Sequence, residues 1–165
     1  MRIGAYAALA FIAVVLDATV APEIEILGAR PDLLVLVVVY GSLVLGSRPA
    51  TIAGFVMGLI ADSEMAEYLG LNALALAIVG FLSAGTWDHL VRGNVFVQCA
   101  VLAAATVIHD AIYYLVYYRN HLDMFWRFIA RYGLLGGLYT AALGAVVFAI
   151  ARARGWRAIA GGHNA

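Results

Sequence analysis

Six apolar runs, set apart by short polar breaks, account for most of the 165-residue chain: Ile3–Val20, Leu33–Leu45, Ala50–Ala61, Leu71–Ala84, Val95–Tyr118 and Phe128–Ile150. They predict six helices. A hydrocarbon core of ~30 Å takes about 20 helical residues to cross, so the first, fifth and sixth runs are long enough, while the second and third are short. Leu33 to Ala61 could form one long tilted helix, but Gly46-Ser47-Arg48-Pro49 combines a helix stop, a charge and a proline start. Two short helices joined by a tight turn are therefore expected. They would recruit Pro31–Asp32 and Asp62–Ser63 at their outer ends and hold Asp32 and Asp62 in a partly dry place.

Within the third run, Ala50, Gly54, Gly58 and Asp62 recur every four residues and so share one helical face. Pro49 reads as the first helical position, where its missing N–H costs nothing. Three small residues invite another helix to approach, and the stripe ends in a carboxylate. A polar segment from Ser63 to Tyr68 follows, closed by Gly70. Asp62 is expected to be at least half buried and satisfied by an arginine or by N–H groups of the Ser63–Gly70 loop, because a buried charge needs such partners. A second ladder, Gly133, Gly137, Ala141, Ala145 and Ala149, runs along the sixth span, and such stripes permit close backbone approach.

Composition fixes the class. The chain is 65% hydrophobic and 12% charged, with a mean hydropathy of +0.94, more apolar surface than a soluble domain of this size can hide. An all-α membrane protein forming one domain over residues 1–165 is expected. Net charge is +0, all ten basic residues are arginine, and no basic tract exists to hold nucleic acid. Cys99 is alone, so no internal disulfide can form. The N-terminal Arg2 and the apolar run after it resemble a signal peptide, but Asp17 makes Ala18–Ala21 a poor cleavage region, so the run is read as a retained first span. Six spans put both termini on one side. With the N-terminus inside, Arg2, Arg48, Arg92, Arg152, Arg154 and Arg157 are cytoplasmic and Arg30, Arg119, Arg127 and Arg131 are outside, an excess that favours N-in, C-in.

Arg30-Pro31-Asp32-Leu33-Leu34 opens the second run; GFVMGLIAD and then Leu69-Gly70-Leu71-Asn72-Ala73-Leu74 follow in order. This set resembles the MreD family, small multi-span proteins of the bacterial rod-shape machinery, over Arg30 to about Leu82. The polar, twice acidic run Ser63-Glu64-Met65-Ala66-Glu67 departs from the apolar continuation expected after the aspartate. The resemblance implies a non-enzymatic inner-membrane partner of MreC, associated with RodA and its class B penicillin-binding transpeptidase, and indirectly with MreB. By analogy alone, a compact bundle resembling the substrate-binding subunits of energy-coupling-factor transporters is expected.

Asp110, near the middle of the fifth span, is the residue most expensive to place in lipid. Thr106, Tyr113, Tyr114 and Tyr117 lie within helical reach of it, so a structural acid hydrogen-bonded to hydroxyls is the plain reading, beside a partner site or a transport role. His109 points about 100° away from it and reads as a packed or partner-facing histidine. His89, His121 and His163 are distant and no metal-ligand spacing occurs, so neither metal nor cofactor is expected. Asp17, Asp32, Asp62, Glu23, Glu25, Glu64, Glu67 and Asp123 make the outer side acidic, with Arg30 or Arg131 as expected partners for Asp32 and Asp62. Asp32 also sits in the first turn of its helix, where the macrodipole favours an anion. Tyr113, Tyr114, Tyr117, Tyr118, Phe125, Trp126 and Tyr132 read as an outer aromatic belt, and Trp87 and Trp156 as an inner one. No P-loop, nucleophile elbow, HExxH motif or triad spacing suggests an enzyme. The expected function is a membrane scaffold with Arg30, Pro31, Asp32, Gly54, Gly58, Asp62, Gly70, Asp110, Gly133 and Gly137 as structural or partner residues. The rivals are a small-molecule-binding transporter subunit, which needs a polar-lined cavity enclosed by helices and a loop, and a proton-coupled carrier, in which Asp110 and Asp62 titrate.

Overall fold

A computed structural model describes residues 3–26, 28–63, 68–90, 95–119 and 122–153, with side chains left out of the description at 3, 84–90 and 151–153. Arg2, Glu64, Glu67, Arg92, His121, Arg154, Trp156, Arg157 and His163 lie outside the described residues, as do the side chains of Trp87, His89 and Arg152. Six helices form: α1 (Ile3–Thr19), α2 (Leu33–Leu45), α3 (Ser47–Asp62), α4 (Leu71–Leu90), α5 (Val95–Tyr117) and α6, in which Leu122–Phe128 runs through a π-helical stretch, Ile129–Gly133, into Leu134–Ala153. Among the described residues no strand occurs; Ile26 and Ala29 make an isolated bridge. Among the described residues two stretches, Val95–Tyr117 and Leu122–Ile150, are long and apolar enough to cross a membrane; the first run, expected to be long enough, falls with Leu33–Leu45 and Leu71–Ser83 among the shorter apolar helices.

The centre is α2. Its sequence, LLVLVVVYGSLVL, is apolar all round, as expected of a helix packed on every side. It touches all five other helices, and Val35, Val38 and Val39 are fully buried among Leu76, Leu102 and Phe148. From α1, Tyr6 lies over Gly41 and donates its hydroxyl to the Val37 carbonyl at 3.2 Å.

The turn between α2 and α3 falls at Gly46, whose φ of +87° and ψ of −178° suit glycine almost alone. Gly46 therefore makes the break, and α3 starts at Ser47, ahead of the proline. Pro49 is the third helical residue and not the first; it is tolerated there because the first turn has no acceptors for its N–H groups anyway.

The small-residue face of α3 lies against α4. A Cβ on Gly54 would sit 2.6 Å from the Leu76 carbonyl oxygen, and one on Gly58 would sit 2.5 Å from the Ala73 backbone. From the other side, Gly80 approaches the Ala50 backbone in the same way. Contact between the two backbones extends over several turns, so the small-residue stripe works as read. The second ladder holds only in part. Gly137 faces Ala103 of α5, and Ala141 is buried, but Ala149 is exposed and Gly144 takes the next contact, against Leu102. A helix with 3.6 residues per turn rotates away from a strict four-residue stripe.

Candidate functional site

Between α1 and α2 the chain runs along the end of the bundle and is fixed there. Ile26 and Ala29 exchange backbone hydrogen bonds of 2.9 and 3.0 Å around Gly28, at φ +84°. Gly28 packs on the Tyr132 ring, and the Arg30 carbonyl lies over Gly136. The Tyr139 hydroxyl donates to the Ile24 carbonyl at 3.1 Å, and the Asp32 N–H donates to the Thr140 hydroxyl at 2.9 Å. Every one of these anchors belongs to α6.

Beneath this loop is a cavity of about 350 Å³, lined by Arg30, Pro31, Asp32, Asn72, His109 and Asp110 among others, with Thr106, Tyr113 and Tyr114 from the same face of α5. Asp32 caps α2, one carboxylate oxygen accepting the Val35 N–H at 2.8 Å. Its other oxygen lies 3.0 Å from His109 Nδ1, and Asp110 Oδ1 lies 3.5 Å from the same nitrogen. His109 Nε2 pairs with the Asn72 side-chain oxygen at 3.1 Å. Asp17, also lining the cavity, accepts the Leu33 N–H at 3.1 Å. Three acidic residues, an imidazole and an amide from α1, α2, α4 and α5 thus meet at one place.

Beside it stands a second polar device. Asp62 is 3% exposed and accepts three backbone N–H groups: Gly70 at 2.9 Å, Asn72 at 3.2 Å and Ala73 at 3.1 Å. It closes the loop after α3 and caps the start of α4, where N–H groups have no helical acceptor. A carboxylate suits that end of the helix dipole. Gly70, at φ +96°, lets the chain turn into that position.

Arg30, Pro31, Asp32 and Asp110 therefore gather around one cavity, and Gly133 packs against Asp110, where a Cβ would be 3.6 Å from Asp110 Oδ2. Asp62 and Gly70 form the neighbouring cap, while Gly54, Gly58 and Gly137 belong to helix contacts away from it. For Asp62 the second of the two expected alternatives holds: it is satisfied by backbone N–H groups, Gly70 of the expected loop and then Asn72 and Ala73, and not by an arginine. The pairing expected for Asp32 is corrected: His109 is its direct partner, with Arg30 a nearby charge, and Arg131 lies over the Tyr132 ring at 5.7 Å. Among the described residues no hydroxyl hydrogen-bonds Asp110, since Thr106 donates to its own helix at Leu102 and the tyrosines stack on one another.

His109 is the residue that helix geometry misplaced. One step along α5 from Asp110, it turns away around the helix, yet its ring nitrogen lies 3.5 Å from that carboxylate and 3.0 Å from Asp32 at the start of α2. The signal was the face shared by Thr106, His109 and Tyr113 at helical spacing, with Asn72 hidden in an apolar run. The aromatic group forms a stack from Tyr68 over Tyr117 and Tyr113, and from Tyr118 over Phe128 to Tyr132.

No curated protein and no solved structure matches the chain. A family model described as rod shape-determining protein MreD matches residues 2–153, well beyond the third of the chain that carries the motifs. With nearly its whole length matched, the chain belongs to the MreD family of rod shape-determining membrane proteins.

Proposed function

We propose that this chain is a non-enzymatic, multi-pass scaffold of the bacterial elongation machinery. It crosses the inner membrane six times with both termini in the cytoplasm and binds MreC. Through that contact it associates with RodA and its class B penicillin-binding transpeptidase, and indirectly with MreB, to organise lateral peptidoglycan synthesis. The observation that carries this reading is the family match over residues 2–153. The surface is consistent with it: Ile52, Phe55, Val56, Leu59 and Ile60 make an exposed apolar face on α3, opposite the α4 contact. Such a face suits lipid or a partner helix. Co-purification from membranes tests the proposal, the expected result being a complex with MreC that survives size exclusion. Recovery of an ATPase module or a bound small molecule in place of MreC would sink it.

One observation favours a second reading, a small-molecule-binding subunit of a transporter. The cavity of about 350 Å³ is within the ~300–1,000 Å³ of small-molecule pockets, and helices and a pinned loop line it while leaving it partly open. A bundle like the substrate-binding subunits of energy-coupling-factor transporters would be the matching architecture. The carrier reading has less support, because Asp62 is committed to three backbone bonds as a fixed cap.

A further inference from the structure

We propose that Asp32, His109 and Asp110 bind one divalent transition-metal ion of the zinc type, reached through the cavity under the α1–α2 loop. The donor atoms of these residues all lie within 4.8 Å of one another. Oxygen and nitrogen ligands ~2.0–2.2 Å from a tetrahedral ion stand roughly 3.3–3.5 Å apart. The Nδ1 to Asp32 separation of 3.0 Å and the Nδ1 to Asp110 separation of 3.5 Å are already close to that. Asp32, fixed by its bond to the Val35 N–H, would hold its place while Asp110 turns to complete the triangle.

The second observation is the state of the imidazole. His109 is 8% exposed, and its Nδ1 is inaccessible and makes no directed hydrogen bond, although it faces two carboxylates. Neither contact has the geometry of a directed ring N–H···O hydrogen bond. On the far side of the ring, Nε2 meets the Asn72 oxygen. In the neutral ring with the proton on Nε2, Nδ1 carries a lone pair directed at two anionic acceptors. Three acceptors facing one another take either a proton or a metal cation between them, and the cation proposed is the metal. A partner on the distal nitrogen that fixes the tautomer is also what metal-bound histidines have.

Donor type selects the ion class. One imidazole with two carboxylates suits zinc or a neighbouring first-row ion, whereas calcium and magnesium prefer oxygen throughout. The Asp32 and Asp110 side chains are 16% and 21% exposed, so both reach the cavity, which leaves room for a fourth ligand. The π-helical stretch of α6 brings Gly133, with no side chain, against Asp110; such local windings are frequent at functional sites. The site is independent of the scaffold reading, so failure to bind MreC leaves it untouched.

The test is titration of the metal-stripped, purified full-length chain with Co²⁺, read by visible absorption, followed by displacement with Zn²⁺. One Co²⁺ per chain is expected, with absorption typical of low coordination number, displaced by Zn²⁺ and not by Ca²⁺. His109→Gln and Asp110→Asn, checked for folding by circular dichroism, should each weaken binding at least about 10-fold, the lower end for losing even an outer partner of a metal site. Cys99→Ser should leave it unchanged. Absence of saturable Co²⁺ binding by the wild-type chain overturns the proposal and leaves a protonated His109 between its two acids, whatever the variants do. Binding that survives Asp110→Asn, or that Cys99→Ser abolishes, overturns it equally.

Discussion

Replacing Asp62 tests whether the third helix is built to deliver a cap to the fourth. In Asp62→Leu three N–H groups lose their acceptor. The Ala73 N–H is in a buried setting, and an orphaned buried donor costs about 1–3 kcal/mol. Gly70 and Asn72 are only part-buried, so water recovers some of their loss, and together they add roughly the 0.5–2 kcal/mol of a lost cap. The expected destabilisation is therefore about 1.5–5 kcal/mol. Asp62→Asn keeps one acceptor oxygen. Placed where Oδ2 now lies, it retains the bonds from Gly70 and Ala73 and gives up only the 3.2 Å bond from Asn72, at a cost of roughly 1 kcal/mol. Denaturant titration of the purified chain in micelles, followed by circular dichroism, measures both, and the yield of folded protein in membranes gives the same ranking. If the two variants unfold within about 0.5 kcal/mol of wild type, the range of a neutral surface change, the cap contributes nothing and the reasoning fails.

Gly58→Leu forces a side chain into the Ala73 backbone, whereas Gly4 has nothing within 4 Å of its Cβ position. The first should lose about 1–3 kcal/mol or more and much of its folded yield, while Gly4→Leu accumulates like wild type; equal accumulation would refute the α3–α4 contact. Gly137→Leu, whose Cβ would lie 3.1 Å from the Ala103 oxygen and 3.3 Å from a Val107 methyl, should fall between them by the same measure. For the orientation, a cysteine at Ser47 in a Cys99→Ser background should label only from the cytoplasmic side, and labelling from outside alone would invert the topology.

The helices were legible where hydropathy was continuous, and Leu33–Leu45 is read to the residue. The reading stopped short where polar residues continue a helix: α4 extends through Gly85-Thr86-Trp87-Asp88-His89-Leu90, and α6 begins at Leu122 with Asp123 and Arg127 in its first turns. Neither extension has an apolar signature. The α3 stripe was legible because four-residue spacing is a property of one helix, and so was Asp62 at its end. The cavity was not, because Asp32 and His109 meet across 77 positions of sequence, a distance that no local period encodes. The π-helical winding was equally invisible, since it depends on how α6 fits against α5.

The loop between α1 and α2 comes early in the chain, yet its anchors come late. Asp32 binds Thr140 across 108 positions, and Ile24 binds Tyr139 across 115. During synthesis Asp32, His109 and Asp110 therefore emerge before the α6 residues that hold the loop over them. A nascent chain that has made α1 to α5 carries Asp32, His109 and Asp110, but the loop above them lacks its bonds to Tyr139 and Thr140. The site is completed only when α6 is laid down, so an intact roof is a mark that α6 has docked.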